Sequence, residues 1–230
     1  MTGPVVARPA PDPVAVRAAS FAELDRLGLP RPPDHFPLVW EPEDQVSLRP
    51  TIDLERRAII LHVILERAFG MPADLAEAWL DANDLTPDVT EPEWAWITAE
   101  QGDRRSFVLH LDALAGLVWV LGMVKALDPL LPPQPLMQVL PDLPGGETFA
   151  QWQARTLAVP RDPTVVAAAL DLHYCLDWAY QTLTEKGEPT PGEVGWDAIG
   201  QRRWALEWAV LFTGPYHDTP PNWEEVDLST

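Results

Sequence analysis

The chain has a single cysteine, Cys175, in 230 residues. An internal disulfide is therefore excluded, which fits a reducing compartment, and a cytoplasmic protein is expected. Basic charge is also scarce. Sixteen Lys and Arg stand against 35 Asp and Glu, a formal net charge of -19. Phosphate backbones repel such a chain, so nucleic acid is a poor partner and a basic protein a better one. The N-terminal "MTGPVVARPAPDP" lacks the continuous apolar stretch of a signal peptide and reads as a flexible arm over residues 1–13. Only residues 107–124, "FVLHLDALAGLVWVLGMV", approach the length of a membrane span. His110 and Asp112 interrupt that run and no second span accompanies it, so a central buried helix is expected and no membrane partner. Strand-like alternation of useful length, internal repeats and heptads are missing as well.

Familiar chemical motifs are absent too. There is no H-E-x-x-H, G-x-S-x-G, P-loop or G-x-G-x-x-G. Those absences remove the usual routes to catalysis and leave an enzyme open. The acidic tail "HDTPPNWEEVD" (217–227) carries hard-metal ligand types without the spacing of a metal-binding loop. No metal site and no cofactor is expected. Cys175, among Tyr174, Leu176 and Trp178, reads as a small buried apolar residue rather than a reactive thiol.

What the chain does contain is helix punctuation. Periodicity and stop signals predict an all-α fold: one compact multi-helix domain over residues 14–230 with long proline-rich connecting loops. The expected helices cover 14–27, stopped by Gly28, and 51–69, with Thr51 as N-cap. Pro72 opens one to about Asp81, and the capping-box pattern at Thr90 and Glu93 opens another carrying Trp94 and Trp96. A long apolar helix follows over 103–127, then 148–159, 164 to about 185, and a last one from Pro191 to Phe212. Residues 30–50, with six prolines, and 128–146 form the connectors. Eleven tryptophans suit gap-filling between helices better than a stacking surface, with Trp178, Trp204, Trp208 and Trp223 assigned structural roles.

Helical spacing then separates ordinary polar residues from unusual ones. His173, Asp177, Gln181 and Thr184 fall opposite the apolar face of the 164–185 helix, and Arg203 pairs with Glu207 on a wet strip. Asp171 lies at the edge of an apolar face, Arg202 falls between Leu206 and Ala209, and His110 and Asp112 lie within the long apolar helix. His110, Asp112, Asp171 and Arg202 are thus the candidate buried polar network. A buried ion needs a partner, so Arg202 is expected to bridge to Asp171 or Asp112.

Three blocks, "LDLHYCLDWAY" (170–180), "QRRWALEWAVL" (201–211) and "WEEVDLST" (223–230), resemble successive blocks of a bacterial domain-of-unknown-function family, number 4272. "LERRAIILHVILERAFG" (54–70) and "LHLDALAGLVWVLGMV" (109–124) are similar as well, so the resemblance spans most of residues 17–230. The chain departs from the pattern at Gln201, where the family usually has Glu, near Cys175, where a basic residue is common, and at Ser229, which replaces an acid. The resemblance implies a mostly helical fold and carries no activity of its own. Two functions are compatible with these residues. One is a non-enzymatic acidic interaction module, of accessory or toxin-neutralising type, binding a basic protein. The other is a small-ligand binder or enzyme with a pocket lined by Asp112, Asp171, His110 and Arg202.

Overall fold

The computed structural model describes residues 7–215, 217 and 220–229. Eight α-helices dominate them. Most begin where a side chain or a proline relieves the free N–H groups of the first turn. Asp12 accepts from Val14 N at 3.0 Å and starts α1 (Pro13–Leu27), which Gly28 ends at φ 72°. Asp103 caps α5 (Arg104–Val120), and Asp162 caps α7 (Pro163–Lys186). Capping boxes open α4 (Glu91–Ala99) and α6 (Phe149–Thr156). α2 (Thr51–Ala68), α3 (Ala73–Ala82) and α8 (Trp196–Ala209) have no side-chain cap. Pro50, not Thr51, precedes α2, and Thr51 lies within the helix.

α5 packs on α8 and α2, and α7 packs on α8 and α1. A methyl group at Gly116 would stand 3.0 Å from the Ala205 side chain, so glycine there lets α5 and α8 come close. The larger apolar core centres on α2, α5 and α8. A smaller one, with Cys175, Leu176, Tyr180 and Ile199, lies between α1, α7 and α8. Burial pushes the Cys175 thiol up to about 12, so it is not a nucleophile at neutral pH. No helix of the described residues is long and apolar enough to cross a membrane.

The helices come with a small antiparallel sheet that the sequence pattern does not announce. Its strands are β1 (Arg8–Pro9), β2 (Gln45–Leu48) and β3 (Val210–Thr213), in that spatial order. Part of the expected N-terminal arm is thereby engaged: Arg8 and Pro9 pair with β2, and Asp12 caps α1. Residues 1–6 lie outside the described residues. β3 also corrects the expected last helix, which stops at Ala209. The following Val210, Leu211 and Phe212 favour extended backbone, and β2 supplies their hydrogen bonds.

α5 ends seven residues before the expected Leu127. Gly122 adopts φ 75° beside the Val159 carbonyl, and Arg161 takes over the freed carbonyls. It donates to Trp119 O at 2.7 Å, Val124 O at 2.5 Å and Lys125 O at 3.1 Å. Arginine anchors other connectors in the same way. Arg17 reaches Phe36 O and Pro37 O, Arg155 reaches Leu140 O, and Arg202 reaches Asp128 O and Leu131 O. These loops are too rich in proline to supply the N–H donors themselves.

The two glycines Gly122 and Gly146 share φ 75°, but a Cβ on Gly122 would lie 2.4 Å from Val159 O while Gly146 has open space. Gly146→Ala is expected to cost about 1 kcal/mol from backbone strain alone, and Gly122→Ala clearly more. Chemical denaturation of both variants checks this, and equal costs would contradict the tight approach at Gly122.

Candidate functional site

Of the four candidate polar residues His110, Asp171 and Arg202 are buried and Asp112 is half-buried, but they do not form one network. Arg202, 1% exposed, donates from Nε to Asp112 Oδ1 at 2.9 Å, and its Nη2 stands 2.8 Å from the same oxygen as an ion pair. Its remaining reach goes to the Asp128 and Leu131 carbonyls. Burial pushes the Asp112 carboxyl up, against the opposing pull of Arg202. Asp171 belongs to a different pair. It accepts from Arg17 Nε at 3.0 Å and Nη2 at 2.8 Å, and from Ser20 Oγ at 2.6 Å. His110 shares a hydrogen bond of 3.0 Å with Gln201, one of the departures from the family pattern, and burial lowers its pKa. Arg202 does line a small cavity of about 110 Å³ with the 124–136 connector, without the other three. This set ties loops and helices together rather than shaping one pocket.

Three residues expected in water are buried instead. His173 is 2% exposed, Asp177 5% and Arg203 1%. α7 is covered by α1 on one side and α8 on the other, so the supposed wet face meets protein. Asp177 receives Arg203 Nη1 at 2.8 Å and Trp196 Nε1 at 2.7 Å. Arg203 also bonds Glu207 at 3.2 Å, and burial pushes that carboxyl up.

Arg203 has a further role, because it anchors the C-terminal segment. Its Nη1 donates to Leu228 O at 2.9 Å and its Nη2 to Ser229 O at 3.4 Å. Trp204 Nε1 donates to Trp223 O at 2.9 Å, and Arg49 Nη2 donates to Pro221 O. Residues 220–229 are thus strapped across α8. Trp223 is the apolar plug of the strap: it stacks on Trp204 at 5.4 Å and meets Trp208 edge-on at 5.4 Å. Glu224, Glu225 and Asp227 remain exposed. Trp208 is buried as well, while Trp178 and Trp204 are half-buried against the two cores. Among the described residues no group of three or more His, Cys, Asp and Glu is placed to hold a metal; Asp218 of the acidic tail lies outside them.

The strap and the start of α2 enclose a cleft of about 440 Å³. Arg49, Asp53, Arg56, Arg57 and Ile60 form one side, Pro87, Asp88, Val89 and Thr90 the second, and Trp208, Asn222 and Trp223 the third. Within α2, Asp53, Arg56, Arg57 and Ile60 follow a single helical stripe at i, i+3, i+4 and i+7, and Arg49 joins them from the segment just before the helix. That spacing is the sequence signal which could have located the site.

Two of its arginines are paired. Arg56 bonds Asp88, and Arg57 gives Nη2 to Glu93 Oε2 at 2.8 Å. Arg49 is different. Its Nε donates to Trp208 O at 2.6 Å, and its guanidinium lies 4.5 Å from the Trp208 ring centroid. Among the described residues no carboxylate is hydrogen-bonded to it, and its Nη1 has no acceptor. Burial lowers the Arg49 pKa, while Asp53 acts through space to raise it. Hydrogen-bonding capacity is unspent behind the wall too. Arg57 Nε, Glu93 Oε1, Trp223 Nε1 and the Thr86 hydroxyl are buried without partners. They are four of the six such side-chain atoms among the described residues, and such atoms mark places where water or a ligand is bound.

Fold and cleft together define a mostly helical domain with a recess of small-molecule size. By sequence the chain belongs to the family Domain of unknown function (DUF4272), whose match covers residues 17–226. The matched stretch takes in the whole cleft. No curated protein and no solved structure matches the chain.

His62 and His173 give the fold a pH dependence. Burial drives both from 6.5 to about 4, against hydrogen bonds to Pro141 O and Ala169 O respectively. The folded state holds them neutral, so their contribution is complete above pH 6.5 and is lost as pH falls toward 4. At pH 5 each is expected to cost about 2 kcal/mol relative to pH 7. Urea unfolding of the native protein and of His62→Gln/His173→Gln at the two pH values measures this. An identical pH dependence in both would count against it.

Proposed function

We propose that this domain binds a small organic carboxylate in the cleft between α2 and the C-terminal strap. The observation that carries the reading is the Arg49 guanidinium. In a chain with 35 acids for 16 bases, no carboxylate of the described residues is hydrogen-bonded to it, yet it is half-buried on an indole face beside the incompletely bonded Arg57. A planar guanidinium fork matches a carboxylate, and a water-depleted setting strengthens that bond. A volume of about 440 Å³ falls within the range of small-ligand pockets, and Ile60, Val89, Trp208 and Trp223 offer apolar walls. Large polyanions are disfavoured by the overall charge of -19. Among the described residues no serine, cysteine or histidine lines the cleft, and the Thr90 hydroxyl there is tied to Glu224 at 2.8 Å. The reading is therefore binding rather than catalysis.

Titration with 3-phenylpropanoate, followed by tryptophan fluorescence, tests this. Saturable quenching is expected, with Kd raised about tenfold in Arg49→Gln, the size of one lost charge-assisted hydrogen bond. Absence of binding to the native protein, or unchanged affinity in the variant, would sink the proposal.

A second reading, attachment to a basic protein, is favoured by the distribution of charge. The five buried arginines, Arg17, Arg57, Arg67, Arg202 and Arg203, are matched by five buried acids, Asp44, Glu55, Glu93, Asp171 and Asp177. The excess of acid therefore lies outside the interior, where it can steer a basic partner. Retention of host proteins on the immobilised domain at low and moderate salt is the test. A basic protein released as salt rises is expected, and none retained at either salt would dismiss this reading.

A further inference from the structure

On the reading that the cleft is a carboxylate site, we infer that its ligand is a zwitterion, an α-amino acid with an apolar side chain. Two of the three arginines lining the cleft are closed in ion pairs and the third is open. Arg56 is closed on Asp88 and Arg57 on Glu93. Arg49, just before α2, and Asp53, in its first turn, both line the cleft and are not hydrogen-bonded to each other. Among the described residues the Asp53 carboxylate receives no hydrogen bond, just as Arg49 Nη1 makes none. Asp53 sits in the first turn of α2, where the helix dipole favours a carboxylate without occupying its oxygens with a donor.

An α-amino acid carries its ammonium and carboxylate on one carbon. Placed between these two side chains, it gives the carboxylate to Arg49 and the ammonium to Asp53, and both open groups are then paired. It does so without adding charge to a chain already at -19. A plain carboxylate adds a negative charge and leaves Asp53 facing it. Like charges at close range are unfavourable, so the simple acid is the poorer ligand. The side chain then lies against Ile60, Val89 and the indoles of Trp208 and Trp223. Those walls select an apolar or aromatic group.

Calorimetric titration of the full chain with L-phenylalanine, 3-phenylpropanoate and 2-phenylethylamine separates the charges. L-phenylalanine is expected to bind about tenfold more tightly than either relative, one charge-assisted contact being missing in each. Asp53→Asn should abolish the preference of L-phenylalanine over 3-phenylpropanoate, while Arg49→Gln should weaken both acids. Asp53 is exposed, so its variant keeps the fold, which a thermal melt verifies. If both acids bind native protein equally and Asp53→Asn changes neither, the zwitterion inference fails and the carboxylate site stands. If neither acid binds, both fail. Preferential binding of the amine also overturns the inference.

Discussion

A backbone carbonyl in a proline-rich loop has few N–H groups nearby, and burying it unpaired costs about 1–3 kcal/mol. In this fold the donor comes from arginine. One guanidinium offers five N–H groups in a rigid fork, enough to hold two or three carbonyls of an irregular segment together. Arg161 holds the unwound end of α5, Arg202 the connector after it, Arg17 the connector after α1, and Arg203 the C-terminal strap. Several of the same guanidiniums also neutralise a carboxylate on a helix, as Arg17 does for Asp171 and Arg202 for Asp112. Each of these anchors therefore joins a helix face to a loop. All the basic residues but Lys125 and Lys186 are arginine, which suits this use, since an ammonium has no planar fork.

Helices were readable because their signals are local. Gly28, Pro72 and the Thr90–Glu93 box lie within a few residues of the ends they define. What escaped depends on distant partners. β3 exists because β2 lies beside it, far away in sequence, and a four-residue strand leaves little pattern. α5 stops early because Gly122 meets Val159 and Arg161 collects its carbonyls. His173 and Asp177 read as wet because a helical wheel knows one apolar face, whereas α7 is covered on two. The Arg202–Asp112 pair was visible from Arg202 lying on an apolar arc, but Arg17 gave no sign of belonging to Asp171.

The cleft escaped for a related reason. Arg56 and Arg57 lie on a regular stripe of α2 with Arg49 just before it, but that stripe resembles a solvated face until residues 87–90, α8 and the strap close over it. Trp223 contributes most clearly here. It fills the gap between Trp204 and Trp208 and at the same time forms one wall of the recess. Arg49 likewise serves two ends, holding Pro221 and Trp208 by their carbonyls while one nitrogen stays free of any described acceptor. Packing of the C-terminal segment and formation of the cleft are thus one event.

The anchors also bear on how such a chain changes over generations. A guanidinium bonded to a carbonyl is indifferent to the side chain that the carbonyl's residue carries. Residues such as Leu131, Val124 and Leu228 can therefore be exchanged without disturbing the bond at their own backbone. Drift is tolerated in the connectors and concentrated constraint falls on a few arginines. Relatives of this chain should then differ most where it looks least regular, while their loops keep the same path.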